Sequence, residues 1–352
     1  MRAIVYHGRT DIRIEDVGEP SPGAGEVKIK VESNGICGTD LHEYFDGPIL
    51  IPTAPHPLTG AHLPQILGHE FSGTVVEVGA GVSGVGAGDR VCVEPVYRCD
   101  ECARCRDGAY NLCQKIAFHG LMSHGGGLAE YTVVPARTVH ALPGSVSLEL
   151  GALVEPMSVG YHAARRGEVS DGETAVVFGA GPFGICTYLA LRGQGISDVT
   201  VIEPSPVRRR TIQNLGAQSV IDPWETDPVE YVKDRTGGVG AAAVFDTAGV
   251  EASLTAAVNM VAARRRIVTI AICDRALPVN TNMLVFTESV ILGSLAYTGR
   301  DFAAVLDLMS RGHYVTDGWV DHIALDDIVA EGFEALHAGR KMKVLVDVGT
   351  TR

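Results

Sequence analysis

Up to about residue 150 the chain alternates between short apolar runs and turn residues. Runs rich in Val and Ile at residues 3–6, 12–15, 26–32, 70–78, 89–93 and 129–135 are separated by Gly, Pro and Asp. Short runs of this kind, punctuated in this way, predict strands. The region is therefore expected to form a compact, barrel-like β domain with long irregular loops. Near residue 157 the pattern changes. Residues 159–166 read as helix, 174–178 as a continuous apolar strand, 181–192 as helix, 199–203 as strand and 206–215 as helix. Further apolar runs follow at 219–221, 242–246, 267–271 and 290–292. Strands alternating with helices predict a parallel sheet covered on both faces. A helix at 301–310 and a strand at 344–348 close the chain and are expected to return to the first domain. The fold class is thus α/β, with domains at 1–156 and 157–296 and a return segment at 297–352.

Composition narrows the function classes. A chain of 352 residues exceeds what one core usually covers, in line with two domains. A net charge of −13 disfavours phosphate backbones, so no nucleic-acid partner is expected. The basic clusters Arg208–Arg210 and Arg264–Arg266 are short enough to be solvated faces. No apolar run approaches the roughly 18–20 residues of a membrane-spanning helix, and the N-terminus reads as a strand with no signal-peptide core. A cytoplasmic protein without a membrane partner is expected. Its eight cysteines should then be thiols or metal ligands. Cys92, Cys186 and Cys273 sit in apolar stretches and read as core thiols.

The segment 174–184 runs strand, then G-x-G-x-x-G (Gly179, Gly181, Gly184), then helix, with Pro182 and Phe183 in the opening turn. The first glycine suits a tight turn, the second close approach to a pyrophosphate and the third close helix–strand packing. The anion would sit at the helix N-terminus. Glycine-rich turns also occur without a ligand, and this chain has 42 glycines. Context favours the dinucleotide: Glu203 ends the next predicted strand, where a carboxylate grips ribose hydroxyls. A carboxylate there repels a 2′-phosphate and favours NAD, whereas nearby Arg208 keeps NADP open. Thr247 and Ser294 follow later strands at the carboxyl edge of the sheet, where ligands bind in this architecture.

Cys99, Cys102, Cys105 and Cys113 form C-x2-C-x2-C-x7-C in a polar stretch at about 95–115. Four thiolates this close can complete a tetrahedral shell around Zn²⁺ with no open position, which makes a structural site. Two disulfides or an iron–sulfur cluster are the alternatives. A second constellation is Gly35-Ile36-Cys37-Gly38-Thr39-Asp40-Leu41-His42 with Gly68-His69-Glu70 and, further on, Val154-Glu155-Pro156. Cys, His and Glu can hold Zn²⁺ with a coordination position left open, the catalytic arrangement. Spacing alone also allows a buried thiol, a hydrogen-bonded histidine and a surface carboxylate.

G-H-E-x-x-G at 68–73, G-I-C-G-T-D-x-H at 35–42, the four-cysteine lobe and the dinucleotide strand follow one another in order. In this the chain resembles, over essentially its whole length, the zinc-dependent medium-chain alcohol dehydrogenases. The resemblance implies a GroES-like β-barrel catalytic domain with a Rossmann coenzyme domain. It implies two zinc ions per chain, one catalytic and one structural, with NAD as coenzyme. Cys37 and His69 match catalytic zinc ligands, and the third ligand is open between Glu70 and Glu155. Thr39 and His42 match the proton-relay positions, and Glu155 stands where simple alcohol dehydrogenases carry a cysteine.

Glutamate at 155, with the loop stretches 46–49, 56–60, 110–113 and 133–137, resembles the polyol, threonine and, most specifically, butanediol branch. The implied reaction is oxidation of a secondary vicinal diol, (R,R)-2,3-butanediol to acetoin, and its reverse. Sorbitol-like polyol or L-threonine oxidation is the alternative, and a non-enzymatic relative a remote one. The same resemblance implies a homodimer or homotetramer.

Overall fold

The computed structural model of the chain describes residues 1–273 and 275–349. The last three residues of the predicted return segment lie outside the described residues. The chain divides into two compact units. The first comprises Met1–Glu155, Thr298–Ser310 and Trp319–Arg352, and the second Pro156–Tyr297 and Arg311–Gly318.

The first unit is built on a seven-stranded mixed sheet. Its order is Val139–Ala141, Arg90–Val93, Glu70–Val78, Glu26–Gly35, Lys343–Asp347 and Val320–Ala324, with Tyr131–Pro135 also paired to Glu26–Gly35. A three-stranded sheet, Asp11–Asp16, Arg2–Gly8 and Gln65–Ile66, adds its inner face. Alternation explains the burial. Val27, Ile29 and Val31 point inward from one strand, and they share a core with Ile4 and Tyr6 of the small sheet. A bridge between Ala3 and Ala129 and a hydrogen bond from Ile4 N to Leu128 O (2.8 Å) join the walls of this GroES-like barrel.

The sequence pattern did not reveal the helix Gly38–Asp46 or the strand Val320–Ala324. The helix turns Leu41, Tyr44 and Phe45 toward the core at helical spacing, but in only nine residues with Gly, Thr, Asp and His between them the pattern is too short to stand out. Its start is fixed by capping, since Cys37 N donates to Asp40 Oδ2 at 2.9 Å.

The second unit is a six-stranded, all-parallel sheet. Its order is Ser219–Ile221, Val199–Ile202, Ala175–Phe178, Ala241–Asp246, Val261–Thr269 and Val290–Gly293. The central strands Ala175–Phe178 and Ala241–Asp246 are buried at every position, as a sheet covered on both faces requires. The helix predicted at 159–166 spans Val154–Gly167. Pro156 is tolerated in its first turn because no N–H is needed there.

Among the described residues no helix is long and apolar enough to cross a membrane. Cys92 and Cys186 are buried as expected, but Cys273 is exposed. Cys273 stands beyond the end of Val261–Thr269, where the chain has left the sheet, and its Sγ lies 3.5 Å from Gly249 O.

Candidate active site and coenzyme cavity

Cys37, His69 and Glu70 come together inside the first unit. All three are buried, and one ligand atom from each lies within 4.8 Å of the others. Cys37 precedes the helix Gly38–Asp46, while His69 and Glu70 stand at the start of the strand Glu70–Val78. His69 Nδ1 faces Asp40 Oδ1 at 3.5 Å, which leaves Nε2 as the donor toward a metal. Burial opposes a positive charge on His69, yet the neighbouring Asp40 and Cys37 outweigh it and hold its pKa well above the usual histidine range. The surroundings therefore favour positive charge at this place, and a divalent cation satisfies that demand.

Glu70 supplies a second sign of fit. Its Oε2 accepts a hydrogen bond from buried Lys343 Nζ, which also donates to Ile36 O at 2.9 Å. Its Oε1 is buried with no hydrogen-bond partner among the described residues. An orphaned carboxylate oxygen beside a thiol and an imidazole is costly unless a cation completes it. Glu155, in the first turn of Val154–Gly167, is buried but is not part of this donor group. Sequence reasoning missed Lys343. A lysine opening an apolar strand was its only signal.

Thr39 and His42 lie on the helix Gly38–Asp46, one turn apart on the same face. Thr39 is half-buried with its Oγ1 3.7 Å from Cys37 Sγ, and His42 is exposed. The pair thus leads from the donor group toward solvent.

His119 occupies the core beside this site, its ring 5.5 Å from that of Phe71. It is hydrogen-bonded to Tyr97 Oη (2.9 Å), Thr132 Oγ1 (2.7 Å) and Ser123 Oγ (3.1 Å). Burial, with a smaller contribution from His69, pushes its pKa down to about 3.

The four cysteines of the polar lobe also converge. Sγ–Sγ distances are 3.4 Å for Cys99–Cys113, 3.5 Å for Cys102–Cys105 and 4.0 Å for Cys99–Cys105. A disulfide needs about 2.05 Å, and none of the eight cysteines forms one. Zn–S bonds of about 2.3 Å in a tetrahedron place sulfurs about 3.8 Å apart, so the lobe fits the metal. Backbone N–H groups of Gln114 and Cys105 lower the Cys102 pKa to about 6, giving it thiolate character. Tyr110 ties the lobe to the barrel. Its Oη donates to buried Glu94 Oε1 at 2.5 Å and accepts from Gly299 N.

In the second unit a cavity of about 1050 Å³ opens at the carboxyl edge of the parallel sheet. Gly179, Gly181, Glu203, Arg208 and Thr247 line it. Gly179 has φ +94°, and a Cβ on Gly184 would meet Gly179 O at 2.1 Å, so both positions demand glycine. Gly181 caps the helix Pro182–Gly193, with Pro182 and Phe183 opening it. Glu203 is buried, and its carboxylate accepts from Ala180 N (2.7 Å) and Ser205 N (2.8 Å). Its side chain is thereby fixed at the end of the second strand, where the ribose of a dinucleotide fits. The Arg208 guanidinium comes within 3.8 Å of where a Cβ would stand on Gly181. Thr247 Oγ1 donates to Phe178 O at 2.6 Å and so braces the glycine turn. Ser294, beyond Val290–Gly293, does not line this cavity.

Comparison with known proteins identifies the family. Residues 23–144 match the alcohol dehydrogenase GroES-like domain family, and residues 182–311 the zinc-binding dehydrogenase family. An (R,R)-butanediol dehydrogenase of Bacillus subtilis is 42% identical over 98% of this chain and 99% of its own. One from Neisseria gonorrhoeae is 38% identical over 96% of each chain. The crystal structure of 2R,3R-butanediol dehydrogenase from Bacillus subtilis superposes with a TM-score of 0.93 at 41% identity. That match covers 98% of this chain and 99% of the other.

Proposed function

The chain belongs to the zinc-dependent alcohol dehydrogenase family, and on that premise we propose that it oxidises (R,R)-2,3-butanediol to acetoin with NAD and runs the reverse reduction. The observation that carries the chemistry is the buried group Cys37, His69 and Glu70 with its orphaned Glu70 Oε1. These three residues would hold the catalytic zinc, and Cys99, Cys102, Cys105 and Cys113 the structural one. When bound, zinc supplies Lewis acidity that lowers the pKa of a substrate hydroxyl, and NAD supplies the hydride acceptor.

The chain's own residues do the rest. Asp40 fixes the orientation of the His69 ring, and Lys343 balances the charge of Glu70. Thr39 takes the hydroxyl proton, and His42, one turn further and exposed, hands it to solvent. Glu203 selects the unphosphorylated ribose of NAD by charge. The identity of 42% with a butanediol dehydrogenase over nearly the whole chain supports the diol as substrate.

We also place the protein in a reducing compartment, the cytoplasm, because none of the eight cysteines forms a disulfide. Self-association as a homodimer or homotetramer is supported by exposed Val285, Phe286, Val290 and Leu295 around the edge strand Val290–Gly293.

The deciding experiment follows NADH formation with (2R,3R)-, meso- and (2S,3S)-butanediol, sorbitol and L-threonine, each with NAD and NADP. Turnover of an (R)-bearing butanediol with NAD is expected. Activity confined to sorbitol or threonine would overturn the diol while keeping the zinc chemistry.

A further inference from the structure

Trp224 is one of two tryptophans in the chain, and it is 82% exposed. An indole left in water forgoes a large apolar burial, and since single exposed apolar side chains are ordinary, it is the place of this one that matters. This one lines the coenzyme cavity, and so does Val250, 51% exposed. Packing does not hold the ring in place, but the backbone beneath it is rigid. Trp224 N donates to Asp222 Oδ1 at 2.9 Å, and Glu225 N and Thr226 N donate to Asp222 O at 3.1 and 3.0 Å. The second Asp222 oxygen is paired with Arg209 at 2.7 Å. The turn is therefore fixed and presents its indole to the cavity.

The order of strands says which part of the coenzyme meets it. Ala175–Phe178 ends at the glycines that receive the pyrophosphate. Its neighbour Val199–Ile202 leads into Glu203, which fits the ribose. The next strand outward, Ser219–Ile221, leads into Pro223 and Trp224. Continuing in the same direction, the group beyond the ribose is the base. We propose that Trp224 is the adenine-positioning residue of this chain, stacking its indole on the purine of the bound dinucleotide.

The proposal rests on the assignment of this cavity to NAD, and the experiment separates the two. AMP is titrated into the protein by calorimetry and by tryptophan fluorescence. The second tryptophan, Trp319, is buried in the first unit, so quenching by AMP reports contact at Trp224. AMP is expected to bind and quench. Trp224→Ala should weaken AMP binding roughly tenfold, the lower part of the range for base–aromatic stacking. Trp224→Phe should recover most of the affinity, and nicotinamide mononucleotide should bind all three proteins alike. Truncation at so exposed a position leaves the core untouched. AMP affinity unchanged in Trp224→Ala would overturn the role of Trp224 and leave the cavity assignment standing. Failure of AMP to bind the unaltered protein would overturn both.

Discussion

Lys343 and Glu70, 273 residues apart in sequence, form an ion pair whose side chains are only 4% and 1% exposed. The lysine opens the strand Lys343–Asp347, and the glutamate opens Glu70–Val78. Breaking a buried pair from one side strands the other charge at a cost of roughly 3–5 kcal/mol. Lys343→Met should therefore lower the melting temperature of the metal-free protein sharply. Zinc should restore part of the loss, because the cation takes over the neutralising role. Calorimetry with and without chelator checks this. Equal losses in both states would mean that Glu70 does not face the metal.

Thr39→Val removes the hydroxyl proposed to take the substrate proton. Losing a positioned proton acceptor typically costs 10²–10⁴-fold, so kcat should fall by about that much while NAD affinity holds. His42→Ala acts one step later and at an exposed position. Its loss should be milder, about tenfold, and imidazole buffer should recover it. Steady-state rates in imidazole and in a non-buffering salt distinguish the two roles.

His119 makes a pH prediction. Its folded pKa, about 3, lies below the unfolded value of about 6.5. Between these values the unfolded chain binds the extra proton, so the contribution to stability is full above pH 6.5 and fades as pH falls. From pH 7 to pH 5 the loss amounts to about 2 kcal/mol. His119→Gln keeps a hydrogen-bonding side chain but does not titrate. Urea melts at pH 7 and pH 5 should show a smaller acid loss in the variant, and parallel losses would contradict the assignment.

Metal content separates the two zinc sites. Cys105→Ser should leave about one zinc per chain and retain the donor group at Cys37. Cys37→Ser should leave the other zinc and abolish activity. Atomic absorption on protein purified in excess zinc gives the count, and two zincs in either variant would contradict the site concerned.

Much of this arrangement was legible because each motif states its own geometry. The C-x2-C-x2-C spacing forces three sulfurs together, and G-x-G-x-x-G announces its turn before the helix. What stayed hidden depends on contacts across the fold. Lys343 is an ordinary lysine until the terminal strand pairs beside Glu26–Gly35 and brings it to Glu70. The helix Gly38–Asp46 has its apolar stripe only at Leu41, Tyr44 and Phe45, too short a run for periodicity to separate from the loop around it. Cys273 follows an apolar run but leaves the sheet before being buried, and local sequence does not mark that exit. Trp224 read as nothing in particular, because exposure at a cavity is a property of the surface.

The Tyr110 hydroxyl, shared between Glu94 and the backbone of Gly299, bears on how the enzyme can be made and taken apart. The lobe is synthesised 189 residues before its Gly299 partner. A nascent or truncated chain that ends before Thr298 would carry every cysteine of the lobe and both Glu94 and Tyr110. It would lack the backbone donor that completes them, along with Lys343. The first 155 residues are therefore no transplantable cassette. Chimeras that exchange coenzyme units must keep the front and the tail of the chain from the same parent.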